Sequence, residues 1–183
     1  MDKRLIYDNK TLAITLKRLC YQLIENHNTF SNTVILGLQP KGIFLADKIQ
    51  KLLKKDFNIE VAVGYLDITF NRDDFRRREL DIIPNAMHVP FSIENKQVIL
   101  VDDVLYTGRT IRAAMDAMLA FGRPKLVELL VLINRKYSRE LPVEPKYVGK
   151  NVNTLQTERV LVELTEQGAK SDTVWLLPHN FKP

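Results

Sequence analysis

Apolar residues recur at three- and four-residue steps through Leu12, Leu16, Leu19, Cys20, Leu23 and Ile24, which predicts an amphipathic helix opening at Asp8 or Asn9. Thr33–Leu38 is short, apolar and β-branched, the pattern of a strand, and the turn Gln39-Pro40-Lys41-Gly42 leads from it into a second amphipathic helix ending near Lys55. The order then repeats. Residues Glu60 to Ile68 predict a strand, and Gln97-Val98-Ile99-Leu100-Val101 a strand buried on both faces. A helix follows from about Arg109 to Phe121, stopped by Gly122 and Pro124, and Leu126–Ile133 is again a continuous apolar strand. Alternating helices and doubly buried strands imply an α/β fold with a parallel sheet covered on both sides. Two stretches break the alternation. Thr69–Val89 is dense in Arg and Asp and is expected to be a flap; the tail from Tyr137 holds Pro142 and Pro145 and short strands near Val160 and Trp175.

With 183 residues, no internal repeat and no linker, the expectation is one domain spanning 1–183, large enough to build its core without metal or disulfide staples. A single cysteine, Cys20, allows no internal disulfide, and it sits on the buried face of the first helix. The apolar runs fall short of the ~18 residues of a membrane span, and Met1–Tyr7 has no apolar stretch behind its charges, so a cytoplasmic protein is expected, not a secreted or membrane one. His27, His88 and His179 lack metal-ligand spacing and are expected to be structural or surface residues. The formal charge is +5, and Arg123–Lys150 supplies most of it: seven basic residues (Arg123, Lys125, Arg135, Lys136, Arg139, Lys146, Lys150) against Glu128, Glu140 and Glu144. That distribution suggests attraction to phosphates.

The stretch Val98 to Thr110 carries the chemistry. A buried strand ends in Asp102-Asp103, and the loop Val104-Leu105-Tyr106-Thr107-Gly108 opens a helix at Arg109-Thr110. Ligands of open α/β sheets bind at that edge. A Thr-Gly-Arg-Thr turn at a helix N-terminus presents N–H groups and hydroxyls to a phosphate, and Gly108 permits close approach. The two carboxylates would repel phosphate; they suit hydroxyls, or a hard cation such as Mg²⁺. The implied ligand has a phosphate at one end and a diol in its middle.

These residues resemble the 5-phosphoribosyl 1-diphosphate (PRPP) motif of type I phosphoribosyltransferases, and the wording Asp102-Asp103-Val104-Leu105-Tyr106-Thr107-Gly108-Arg109-Thr110 resembles the PyrR family of pyrimidine-operon attenuators with uracil phosphoribosyltransferase activity. Leu66–Asp74, Arg139-Glu140-Leu141-Pro142 and Tyr147–Asn151 extend the similarity over most of the chain. The resemblance implies a central parallel sheet flanked by helices, a small hood and a flexible flap. It implies that uracil and PRPP, with Mg²⁺ brought by PRPP and not by a dedicated protein cluster, yield UMP and pyrophosphate. Asp102 and Asp103 would hold the ribose hydroxyls and Tyr106 to Thr110 the 5-phosphate. Pro40, Lys41 and Gly42 would form the pyrophosphate loop, where Thr-Arg-Gly is usual; Lys41 keeps the cation and loses the planar fork. Arg72, Asp73 and Asp74, with Arg76-Arg77-Arg78 behind them, resemble the loop that closes over the site. Asp102, Asp103, Lys41 and Arg72 are the expected catalytic set.

Purine-salvage relatives commonly place an Asp where this chain has Tyr106; a phenol is a poor base at neutral pH, which tilts the expectation toward uracil. A 6-oxopurine phosphoribosyltransferase is the same-class alternative, with Lys136 placed to contact an exocyclic oxygen. A non-catalytic, nucleotide-sensing RNA-binding regulator is the different-class alternative. The family also binds a messenger-RNA hairpin and forms dimers or larger homo-oligomers. Lys17, Arg18, Arg139 and Lys150 are the candidate RNA-binding residues here, with Tyr137 available for stacking. The chain departs from the family at Asn134-Arg135-Lys136-Tyr137-Ser138, where Asp-Arg-Gly-His is usual, at Glu144, where many members are basic, and at Lys17 and Tyr21, where Thr and His are usual.

Overall fold

A computed structural model describes residues 3–68, 87–155 and 157–178. Arg72, Asp73, Asp74 and Arg76 to Arg78 of the expected flap, and His179, lie outside the described residues. The described elements run β1 (Arg4–Tyr7), α1 (Asn9–His27), β2 (Thr33–Leu38), α2 (Gly42–Phe57), β3 (Ala62–Leu66), β4 (Gln97–Leu105), α3 (Arg109–Met118), β5 (Leu126–Lys136), β6 (Tyr147–Asn153), β7 (Arg159–Glu163) and β8 (Thr173–Leu177), with 3₁₀ turns at Leu119–Phe121 and Thr165–Gln167. Asp8 caps α1, its carboxylate accepting from the Thr11 N–H at 2.7 Å, and this bond holds the Asp8 pKa below its ordinary value. Asn58 (φ 55°) ends α2 in the left-handed conformation that asparagine tolerates, and Asn28 ends α1 with a positive φ of 49°.

Five strands form a parallel sheet in the order β3-β2-β4-β5-β6, with β4 at the centre. Every residue of β2 is buried, in keeping with its apolar run from Val34 to Leu38. On one face, Leu16, Leu19 and Leu23 of α1 and Leu45, Ile49 and Leu53 of α2 pack against Ile35, Ile99, Leu130 and Leu132. On the other, Ile111, Ala114 and Met118 of α3 cover Leu36, Leu100 and Val131. Each fully buried leucine or isoleucine contributes about 1.5–3 kcal/mol relative to exposure. Among the described residues no helix is long and apolar enough to cross a membrane.

A second, antiparallel sheet has the order β1-β8-β7 and matches the expected hood. Lys48 of α2 fastens it, reaching Asp172 and Glu166, each at 2.7 Å. Several boundaries differ from the sequence expectation. β3 is shorter than Glu60–Ile68. β5 runs on through polar Asn134, Arg135 and Lys136, and β6 is a polar edge strand that the hydrophobic pattern alone did not announce. An edge strand has one paired side, so residues such as Lys150 and Asn151 are tolerated there.

Candidate active site

β4 extends four residues beyond its apolar run, so Asp102 and Asp103 lie inside the strand and are each only 8% exposed. The Asp103 N–H donates to Asp102 Oδ1 at 2.9 Å. Burial raises the pKa of Asp102 well above its ordinary value, and the neighbouring Asp103 charge adds to the rise. Burial raises Asp103 as well, while the nearby Lys41 ammonium draws it part of the way back. The pair is a poorly solvated acidic site toward the C-terminal edge of the central strand.

Lys41 reaches it because the turn after β2 sits directly on β4. A Cβ built on Gly42 would stand 2.3 Å from the Val101 carbonyl oxygen, so only glycine permits that approach. The Gln39–Pro40 peptide is cis, and the Gln39 N–H donates to the Leu66 carbonyl at 3.0 Å, tying the turn to β3. α2 begins at Gly42 with no side chain capping its first turn. Pro40, Lys41 and Gly42 therefore stand beside Asp102 and Asp103.

Directly after β4 the chain turns through Tyr106, Thr107 and Gly108 into α3. Gly108 holds φ 94° at the N-cap position, a conformation glycine adopts freely, and leaves the first turn of α3 without a side-chain cap. The N–H groups of such a turn, with its partial positive charge, bind anions. The Thr107 hydroxyl accepts from the Arg109 N–H at 3.4 Å.

This loop is held from outside by the segment after β5. The Thr107 carbonyl accepts from the N–H groups of Glu140 (3.0 Å) and Leu141 (3.2 Å), and Arg109 pairs with Glu140 at 2.7 Å. Arg139 donates to the Tyr106 carbonyl and, at 2.6 Å, to Asn134 Oδ1. The Arg135 guanidinium lies 3.9 Å over the Tyr106 ring. Burial lowers the pKa of both arginines. Beside the loop, Asn134, Arg135, Lys136, Tyr137, Arg139 and Glu144 help line a cleft of about 480 Å³. Tyr137, at its rim, is 86% exposed and has φ 64°.

The candidate RNA residues fall into separate places. Arg18 donates to the carbonyls of Val148 (3.1 Å) and Gly149 (2.6 Å) on β6, and Lys150 lies on the same strand with its ammonium 5.3 Å from the Tyr7 ring. Lys17 pairs with Asp56 at 2.9 Å, and Tyr21 packs edge-on against Phe57, 4.9 Å between centroids. Arg139 is tied to the turn after β4 through the Tyr106 carbonyl.

Cys20 is buried, and burial pushes its thiol pKa up to about 12. His27 joins a buried cluster at the N-terminal end of the sheet: its Nε2 lies 2.9 Å from Glu128 Oε2 and 3.0 Å from the Tyr147 hydroxyl, its Nδ1 3.0 Å from Gln97 Oε1. Lys146 pairs with the same Glu128. Spaced over 120 residues from His27 to Tyr147, these partners give no local sequence signal.

A family model described as the phosphoribosyl transferase domain matches residues 4–167. A bifunctional protein PyrR of Enterococcus faecalis is 46% identical over 167 residues, covering 91% of this chain and 93% of the relative. One from Brevibacillus brevis is 43% identical over 166 residues, covering 91% and 92%. Among solved structures, a hypoxanthine-guanine phosphoribosyltransferase of Bacillus anthracis superposes with a TM-score of 0.69 at 15% identity, covering 97% of this chain and 99% of that one. A Trypanosoma cruzi hypoxanthine phosphoribosyltransferase gives 0.72 at 15% identity, covering 95% and 90%. At those identities the structural likeness speaks for the fold alone.

Proposed function

The chain belongs to the PyrR family of type I phosphoribosyltransferases, and from that premise we propose that it transfers the phosphoribosyl group of PRPP to uracil, releasing UMP and pyrophosphate, as one domain working in the cytoplasm. The observation that carries the reading is the buried Asp102–Asp103 pair followed at once by the left-handed Gly108 that opens α3. A diol and a phosphate a few ångströms apart answer both features. The acid pair accepts hydrogen bonds from the ribose hydroxyls, and the first turn of α3 with Thr107 and Thr110 takes the 5-phosphate. Lys41, on the far side of the pair, faces the departing pyrophosphate.

Carboxylate oxygens suit Mg²⁺, a hard cation that keeps most of its waters, so Asp102 and Asp103 fit an ion arriving with PRPP. When bound, it neutralises charge on the pyrophosphate. The chain's own groups orient the ribose, hold the phosphate and stabilise the leaving group. The uracil ring nitrogen gives up its proton to water and forms its bond to the anomeric carbon as the carbon–oxygen bond breaks on the opposite face, its electron pair leaving with pyrophosphate.

The regulatory half of the reading draws on the relatives' designation as bifunctional and on Arg18 and Lys150, which meet at β6. A pyrimidine-leader RNA hairpin is the partner, bound by a homo-oligomer as the resemblance implies. One observation favours a second reading: Lys136 is exposed on the cleft beside the phosphate loop, where a 6-oxopurine could use it.

Chromatography of the nucleotide formed from Mg²⁺, PRPP and a single base discriminates these readings. UMP from uracil is expected. IMP or GMP in its place would favour the 6-oxopurine enzyme, and no nucleotide from any base would leave a sensor. Hairpin binding that weakens steeply with salt would support the regulatory half, and salt-independent or absent binding would refute it.

A further inference from the structure

We propose that Arg135 is a positioning residue for the phosphate loop, acting through the ring of Tyr106; the inference rests on the reading that Tyr106 to Thr110 hold the 5-phosphate of PRPP. Arg135 is 5% exposed, an unusual place for a guanidinium, and burial of a charge is costly unless its surroundings answer it. They answer it in two directions. In its plane, Nε donates to Thr154 Oγ1 at 2.9 Å and Nη2 to the Leu155 carbonyl at 3.1 Å. Perpendicular to that plane, its face covers the Tyr106 ring at 3.9 Å, within the range of a cation–π contact.

Thr154 and Leu155 follow β6, on the stretch that leads to β7 and the smaller sheet. Arg135 thus bridges the phosphate loop to the entrance of the hood. Tyr106 is caught between two cations. Arg139 holds its backbone carbonyl, and the Arg135 face holds its ring. The next carbonyl, that of Thr107, is held by the N–H groups of Glu140 and Leu141. Tyr106 is 37% exposed, and the Arg135 face is what holds its partly exposed ring at the head of the loop. With the ring pinned, the backbone just before Gly108 is fixed, and the N–H groups that meet a phosphate stay aimed at one point.

Only a planar, delocalised cation can donate in its plane and stack with its face at once. Lysine keeps the charge and loses one of the two functions, so a charge-preserving change is the sharpest probe. A residue that merely braces Thr154 and Leu155 would lower stability without singling out one substrate.

The test is steady-state turnover of uracil with Mg²⁺ and PRPP, beside thermal melts, for the wild-type chain, Arg135→Lys, Tyr106→Leu, Tyr106→Phe and the Arg135→Lys/Tyr106→Leu double variant. For Arg135→Lys and Tyr106→Leu, KM for PRPP is expected to rise about tenfold while kcat changes less than threefold, in line with the strength of a partly buried cation–π contact. Tyr106→Phe, which keeps the ring face, is expected to be affected at least fivefold less than Tyr106→Leu. The double variant should be no worse than the poorer single one, because the two residues act through one contact. An active wild type with an unchanged KM in Arg135→Lys, or additive losses in the double variant, overturns the inference alone. A wild-type chain that neither binds PRPP in calorimetry nor turns it over overturns the functional reading along with it. If Arg135→Lys melts below the assay temperature, the Tyr106→Leu and Tyr106→Phe pair decides on KM for PRPP.

Discussion

Replacing Asp102 by Asn should make the protein more stable and less active. Asp102 and Asp103 are adjacent carboxylates, each 8% exposed, and burial followed by mutual repulsion holds the Asp102 pKa well above its ordinary value. Asparagine keeps the Oδ1 acceptor that receives the Asp103 N–H at 2.9 Å, and removes the buried charge. Relieving a strained functional site of this kind gains about 1–2 kcal/mol. For a chain of this size about 2–4 °C accompanies each kcal/mol, so Tm should rise by about 2–8 °C in the absence of PRPP. The pH dependence has a definite sign. Below the ordinary carboxylate range the side chain is protonated in both folded and unfolded chains, and wild type and variant differ least. As pH rises toward the raised folded value, the unfolded chain releases the proton first and the wild type loses stability relative to the variant. Melts by circular dichroism at pH 5 and pH 8 measure this directly. An Asp102→Asn protein that is less stable than wild type at pH 8, or whose advantage grows on acidification, would refute the reasoning.

Three other changes probe the frame around the site. Gly42→Ala should cost about 1–3 kcal/mol, read as a lower urea midpoint, and impair turnover, because its methyl would meet the Val101 carbonyl oxygen at 2.3 Å and push the Lys41 turn off β4. Lys48→Met should destabilise by about 1–3 kcal/mol at pH 7, for it removes the partner of Asp172 and Glu166. Although burial opposes it, Lys48 holds both carboxyl pKa values below their ordinary range. Its contribution is therefore present above that range and lost as pH falls through the depressed values, so the two proteins should converge in acid melts. Tyr147→Phe should cost about 1–3 kcal/mol in urea, since it takes hydrogen bonds from buried Glu128 and His27, yet leave uracil turnover unchanged from the opposite end of the sheet.

How legible the protein was from its residues depended on whether a feature is local in the chain. Asp102 through Thr110 is contiguous, so the strand, its acid pair and the glycine turn into α3 could be read together, and they lie at one edge of the sheet. α1 and α2 declared themselves through their apolar spacing and their entry turns. The end of β5 and the whole of β6 did not, because a polar stretch shows no apolar pattern; it is held by pairing such as Asn134 with Asn151, 2.9 Å between side chains, and by the hydrogen bonds of buried Arg135. β1 is four residues long and pairs with β8 at the far end of the chain, a contact no window of sequence contains. The same holds for Arg135 over Tyr106. Its sequence signal is only an arginine after an apolar strand, and its significance comes from the loop it covers. Arg139 was expected on an RNA face by resemblance, while its described partners are Tyr106 and Asn134.

The account stands on Asp103 and its neighbour serving the ribose of PRPP, and pyrophosphate release from PRPP and Mg²⁺ with uracil, compared between wild type and Asp103→Asn, tests it most directly. It predicts a loss of about 10²-fold or more in kcat/KM, the scale of removing one preorganised polar group from a catalytic site, in a variant whose melting temperature is equal to or above that of wild type. Turnover within threefold of wild type would contradict it.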